Sequence, residues 1–211
     1  MAAWGVLSLA GCSRQSPEDA RALLEARNIP FNNFEFVRSA AYAPPAILAL
    51  FINGNMHPST TTGDGYTALM VAAQAGNLPN VMFLLNEGAS VRPRANGGIT
   101  ALMMAAQECR HPEVIRLLLE AGSQANEEAD DGSTALTFAS PPAVLGGVDC
   151  EPDVIRRLVK AGSDPNHVNH QGWTPLGKAI VNGSLANVAA LLELGANPDR
   201  PGGWTGVYTY Q

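Results

Sequence analysis

Aliphatic residues recur along the chain at helical spacing, and each run closes on a glycine. The runs are Val81, Leu84, Leu85 and Gly88; Ile115, Leu118, Leu119 and Gly122; Ile155, Leu158, Val159 and Gly162; and Val188, Leu191, Leu192 and Gly195. Offsets of three and four put the aliphatic side chains on one face of a helix, and the glycine can take the left-handed conformation that ends it. A second pattern precedes each run: Gly65-Tyr66-Thr67-Ala68-Leu69, Gly98-Ile99-Thr100-Ala101-Leu102, Gly132-Ser133-Thr134-Ala135-Leu136 and Gly172-Trp173-Thr174-Pro175-Leu176. Each Thr stands where an N-cap hydroxyl accepts from the first turn, and Pro175 follows where its missing N–H costs little. Every period therefore predicts a capped first helix, an aliphatic second helix and a turn-rich stretch before the next Thr. Small pairs such as Ala72-Ala73 and Ala105-Ala106 let neighbouring first helices approach closely.

The Thr positions lie 33, 34 and 40 residues apart. A fixed period in this range is the signature of stacked repeats. A more divergent copy is visible in 36–41 followed by Ile47, Leu50, Phe51 and Gly54, and it stays in phase because Ile47 and Val81 are 34 apart. Upstream, Ser16-Pro17-Glu18-Asp19 joins a capping residue, a first-turn Pro and two carboxylates at the positive helix end, which predicts a covering helix over 17–27. Gly203-Trp204-Thr205-Gly206-Val207 opens like a further copy. The long 40-residue step places its excess in 140–150, where Pro141-Pro142 ends the first helix and Gly146-Gly147 turns the insertion outward.

These residues resemble the ankyrin-repeat family: a turn, a helix opening T-A/P-L-x-x-A-A, a second helix ending G-A/S, and a finger reaching to the next unit. The resemblance implies an all-α solenoid of helix-turn-helix units with β-turn or hairpin fingers. It divides the chain into an apolar leader (1–12), a capping helix region (13–32), a repeat domain over 33–203 in units 33–64, 65–97, 98–131, 132–171 and 172–203, and a tail (204–211). The family's usual His after T-P-L is replaced by Met70, Met103, Thr137 and Gly177, so a tie between adjacent turns is missing. Proteins of this kind bind other proteins, so the resemblance implies a protein partner held on a concave face, a chain that is monomeric when free, and no catalytic role.

Composition narrows the partners. Nineteen acidic against thirteen basic residues give a net charge of −6 with no Lys/Arg tract, which argues against nucleic acid, since phosphate binding rests on clustered cations. The longest apolar run, at the N-terminus, is shorter than the about 20 residues needed to span a bilayer. It ends Leu9-Ala10-Gly11-Cys12 before a polar break. Those four residues resemble a bacterial lipobox, which would make Cys12 the acylated first residue of a mature lipoprotein, tethered to a membrane surface in the periplasm.

The partner-facing residues are expected in the fingers: Arg92, Arg94 and Asn96; Glu127, Glu128 and Asp130; His167, Asn169 and His170; Asp199 and Arg200. Charge at a rim sets orientation and on-rate, whereas large side chains at a centre dominate affinity. Tyr66, Met70, Met103, Phe138, Trp173 and Trp204 are the candidate anchors; Tyr66 and Trp173, where a finger meets its helix, rank ahead of Phe138, which is expected in the core. With Cys12 acylated, Cys109 and Cys150 remain in inter-helix loops of adjacent repeats, and an oxidising compartment predicts a disulfide between them.

No nucleophile elbow, P-loop, dinucleotide fingerprint or H-E-x-x-H is present. Asp164, His167 and His170 are the nearest approach to a metal set, and a turn does not make them converge, so no metal and no cofactor are expected. The functional expectation is a non-catalytic envelope lipoprotein that binds, and by analogy inhibits, a toxic enzyme delivered to the periplasm. The alternatives are an envelope scaffold or stress adaptor that binds without inhibiting, and a metal-binding or hydrolytic protein.

Overall fold

Ser16 starts the first helix as its position requires: its Oγ accepts the Asp19 N–H at 3.1 Å, opening α1 (Pro17–Glu25). The computed structural model describes residues 15–140, 151–200 and 202. Helix pairs then follow in chain order: α2 (Asn33–Ser39) with α3 (Pro45–Asn53), α4 (Ala68–Gln74) with α5 (Leu78–Asn86), α6 (Ala101–Glu108) with α7 (Pro112–Glu120), α8 (Ala135–Phe138) with α9 (Pro152–Lys160), and α10 (Pro175–Val181) with α11 (Leu185–Glu193). First helices pack on first helices (α2 on α4, α4 on α6, α6 on α8, α8 on α10), and second helices on second helices (α3 on α5, α5 on α7, α7 on α9, α9 on α11). The result is two helical layers in an all-α repeat solenoid. Among the described residues no helix is long and apolar enough to cross a membrane.

The core is one ribbon through these layers. Leu84, Leu118, Leu158 and Leu191 are fully buried in a single cluster with Leu69, Leu102, Leu136 and Leu176. A repeat stack buries its apolar faces only against neighbours, so this continuity is what stabilises each unit. Gly88, Gly122, Gly162 and Gly195 close the second helices at φ 83°, 94°, 97° and 91°, the left-handed geometry that a Cβ opposes. The first unit departs from this. Gly54 has φ −73°, and Asn55 takes the left-handed position at 74° instead, a role that Asn tolerates. The Gly54 carbonyl is used otherwise: Arg21 Nε and Nη2 donate to it at 3.0 and 2.8 Å, while the guanidinium lies 4.6 Å from the Phe31 ring. Phe31 stacks on Phe51. By these contacts α1 covers the first repeat.

Thr67, Thr100 and Thr174 cap their helices, accepting from Met70, Met103 and Gly177 N–H at 3.2, 3.3 and 3.0 Å. Thr134 does not. Its hydroxyl sits 3.4 Å from the Thr137 hydroxyl, so the polar residue in the N3 position takes the interaction that the cap would have made. α8 is correspondingly short, ending at Phe138 two residues before Ser140 and the Pro pair. The insertion beyond Ser140, including Cys150, lies outside the described residues, as does Cys12. Cys109 is buried with φ 55° at the end of α6 and is disulfide-bonded. The Glu151 N–H donates to the Cys109 carbonyl at 2.9 Å, so the chain re-enters the described structure beside Cys109.

Candidate functional site

Fingers project from the start of each first helix, and single backbone bridges hold them: Thr61 with Thr67, Ala95 with Ile99, Glu128 with Thr134, and Trp173 with Gly202. Adjacent fingers are joined through the backbone. Asn96 N–H donates to Asp64 O at 3.0 Å, Asp130 N–H to Gly97 O at 2.9 Å, and His170 N–H to Asp131 O at 3.0 Å. This ladder supplies the tie between turns that the missing His would otherwise provide. Met70 and Met103, which replace it, are 1% exposed. They are core, and partner contact through them is ruled out.

A second tie uses asparagine. Asn126 Nδ2 donates to Gly162 O while its Oδ1 accepts the Asp164 N–H. One repeat later Asn166 does the same with Gly195 O and the Asn197 N–H. Arg92 occupies the corresponding position four residues after Gly88, and its side chain is exposed.

Against this frame the expected finger residues divide into two groups. Arg94 is committed within the protein: its Nη1 donates to Glu127 Oε1 at 2.9 Å, its Nη2 to Glu128 O at 2.7 Å, and Asp130 Oδ1 lies at 3.7 Å. Asn96 Nδ2 reaches Asp64 Oδ1 at 3.3 Å. Asn169 is 4% exposed; its Oδ1 accepts the Gln171 and Trp173 N–H groups and its Nδ2 donates to Ser133 Oγ. Three bonds in a buried turn make it a structural residue, because exposing that amide would orphan its partners. His167 Nε2 lies 2.7 Å from Gly132 O and 3.7 Å from Glu128 Oε1. Tyr66 is half-buried against the core, and Trp173 is half-buried with Lys178 Nζ 5.2 Å from its ring centroid.

Arg92, Glu128, Asp130, His170, Asp199 and Arg200 stay at the surface. The structure thus brings Arg94, Glu127, Glu128, Asp130 and His167 into one mixed-charge cluster across the second, third and fourth fingers. Arg92 stands two residues before Arg94 on the second finger, and the Asp199/Arg200 pair lies beyond the fourth. Asp164 accepts its local Asn166 N–H through Oδ1, and among the described residues no three His, Cys, Asp or Glu groups are placed to hold a metal ion.

Two exposed aromatic residues were missed by reading the fingers alone. Phe34 and Tyr42 are 62% and 58% exposed, and Phe34 lines a shallow groove with Asn32, Asn33, Thr61, Thr62 and Asp64 of the first finger. Arg38 lies between them in sequence, its guanidinium 5.7 Å from the Tyr42 ring and bonded to Glu35. The signal was present in part: Phe34 and Arg38 are four apart on α2, off the face that buries Phe36 and Val37, and Tyr42 follows in the turn after the helix.

The second-helix layer is charged in a different way. Arg116 bonds Glu113 and Glu120, and Arg157 bonds Asp153 and Glu113. The hydrogen bond from Arg116 holds the Glu113 carboxyl below its usual range. These ions satisfy one another on the surface, and such exposed pairs contribute little net stability.

A search of curated proteins found no match. The family model for ankyrin repeats (3 copies) matches residues 37–129 and again 110–202. Those matches cover most of the 211 residues and coincide with the five stacked helix pairs, so the chain belongs to the ankyrin-repeat family, whose repeats are protein-interaction modules.

Proposed function

We propose that this chain grips a partner protein along its finger side and the concave face of its first-helix layer. The observation that supports the reading is the finger-to-finger ladder: it bonds the Asn96, Asp130 and His170 amides to the preceding fingers, so the fingers that carry Arg92, Glu128 and Asp130 are held in fixed relation to one another. Phe34 and Tyr42 add apolar anchors of the type that dominates binding energy. The partner would present acidic groups opposite Arg92 and basic groups opposite Glu128 and Asp130.

The Leu9-Ala10-Gly11-Cys12 sequence supports a lipid tether at Cys12 and a periplasmic location, with the chain a monomer when free. The location supports Cys150 as the partner of Cys109, and native mass spectrometry should then find no free thiol at either position. In that setting the bound protein is a toxic enzyme, and the stack inhibits it without a cofactor. The test is direct titration of a purified effector encoded beside this chain's gene. Stoichiometric loss of effector activity is expected, with Kd weakened about tenfold or more by Phe34→Ala combined with Arg92→Glu. Unchanged affinity in that variant would refute the finger-side reading. Binding with full effector activity would leave a scaffold in place of an inhibitor.

A further inference from the structure

Two aromatic rings of the first repeat are met by a cation of the chain itself. The Arg21 guanidinium lies 4.6 Å from the Phe31 ring, and that of Arg38 lies 5.7 Å from Tyr42. Among the described residues no cation lies over Phe34, although its ring is 62% exposed. Phe34 shares its groove with the exposed Asp64, and no cationic residue lines that groove among the described residues. Both walls are held in place. Asn33 Nδ2 donates to Thr61 O at 3.2 Å, which ties the start of α2 to the first finger. Asp64 Oδ1 accepts from Asn96 Nδ2 at 3.3 Å, and the Asp64 carbonyl accepts the Asn96 N–H at 3.0 Å. A carboxylate offers about four lone-pair sites, so this one bond leaves it able to accept more. The nearest cation along the helix, Arg38, is neutralised by Glu35 at 2.5 Å. Asn32 occupies the first amides of α2, its Oδ1 accepting the Glu35 N–H and its carbonyl the Phe36 N–H, which reduces the repulsion that a helix start exerts on a cation.

We infer that this groove receives an arginine side chain of the partner protein, its guanidinium stacked on the Phe34 ring and donating to the Asp64 carboxylate. The inference rests on the finger-side reading above and adds a residue type to it. An aromatic face attracts a cation through its quadrupole, and a planar guanidinium can stack by its face while its edge donates to a carboxylate. An ammonium group is compact and cannot stack in this way. An acidic occupant would meet the like charge of Asp64, and an apolar one would strip water from that carboxylate without replacing its hydrogen bonds. The net charge of −6 favours the approach of a basic segment. The protein uses the same arrangement internally: Arg21 lies over Phe31 while its Nε and Nη2 donate to Gly54 O.

The experiment uses the full chain with 4-fluorophenylalanine at its phenylalanines, the Phe34 fluorine resonance being identified by its loss in Phe34→Leu. The chain is titrated with acetyl-Gly-Arg-Gly-amide and with the lysine and citrulline counterparts of that peptide. The arginine peptide should move the Phe34 resonance saturably, with a midpoint at about 10 mM, and leave the other phenylalanines in place. The lysine peptide should bind about threefold more weakly, and the neutral, isosteric citrulline peptide should cause no movement. Asp64→Asn, which preserves an acceptor for Asn96, should weaken the arginine peptide about fivefold. The inference is overturned by no response to arginine, by equal responses to lysine or citrulline, by movement shared among all the phenylalanines, or by an unchanged midpoint in Asp64→Asn. No effector enters this titration, so loss of effector binding alone would remove the partner reading while the peptide result stands by itself.

Discussion

Leu118→Ala is expected to lower the free energy of unfolding by about 2–5 kcal/mol, the range for deleting a fully enclosed leucine whose surroundings relax only in part. Leu118 is completely buried on α7 in the third of the five pairs. It faces a ribbon of packing that continues in both directions, since α7 packs on α5 and on α9. A cavity at this place weakens two inter-repeat interfaces at once, and in a nearest-neighbour stack it should also loosen the coupling between the two halves. Urea unfolding followed by circular dichroism checks the magnitude, and a lowered m-value would report the lost coupling. Gln107→Ala, at an exposed site on α6, should change stability by no more than about 0.5 kcal/mol. A cost at Leu118 as small as that of Gln107 would mean that the ribbon is not the source of stability.

The second large effect is expected at Asn80. This residue is fully buried on α5, and its Nδ2 donates to Ala40 O at 2.9 Å and Ala43 O at 2.8 Å in the loop of the preceding repeat. Asn77 Nδ2 adds a bond to Ala41 O. Asn80→Leu removes the donor from two buried carbonyls, each worth about 1–3 kcal/mol when unsatisfied. The Asn80 Oδ1 is itself buried without a hydrogen bond, so its removal offsets part of the loss and leaves a net cost of about 2–3 kcal/mol. Asn187 stands at the same register on α11 and holds one carbonyl, Ala139 O at 3.0 Å; its Oδ1 is likewise unbonded. Asn187→Leu should therefore cost less than Asn80→Leu, and thermal denaturation of the two variants side by side reads the difference. The reverse order would show that the carbonyl bonds do not govern these sites.

These asparagines also mark where sequence reasoning stops. In one dimension Asn80 is a polar residue beside Val81 in an aliphatic helix, and nothing local separates a solvated amide from a buried one. Its register equivalents Val114 and Val154 are apolar and buried, so the repeat alignment points to burial, but the receiving carbonyls lie 37 and 40 residues away. Asn169 posed the same problem in the opposite sense. It looked like a finger residue ready for a partner and proved to be the centre of its own turn. Arg94 also reads as a free cation along the chain, and only the stacking of fingers brings Glu127 to it across 33 residues.

What the sequence by itself determined is everything that depends on spacing along one chain. The helix pairs, their threonine caps, their glycine stops and the family follow from offsets within a period of about 33 residues, because helix geometry converts such offsets directly into faces and ends. Tertiary structure alone decided which polar groups are spent inside the protein and which remain for a partner. Hydrogen bonds between repeats are set by stacking distance, so Arg94 and Asn169 were consumed while Phe34, Tyr42, Arg92 and His170 were left outside. The loss of the Thr134 cap has the same origin on a shorter scale: a competing hydroxyl at Thr137 decided it, through side-chain geometry that the repeat pattern does not contain.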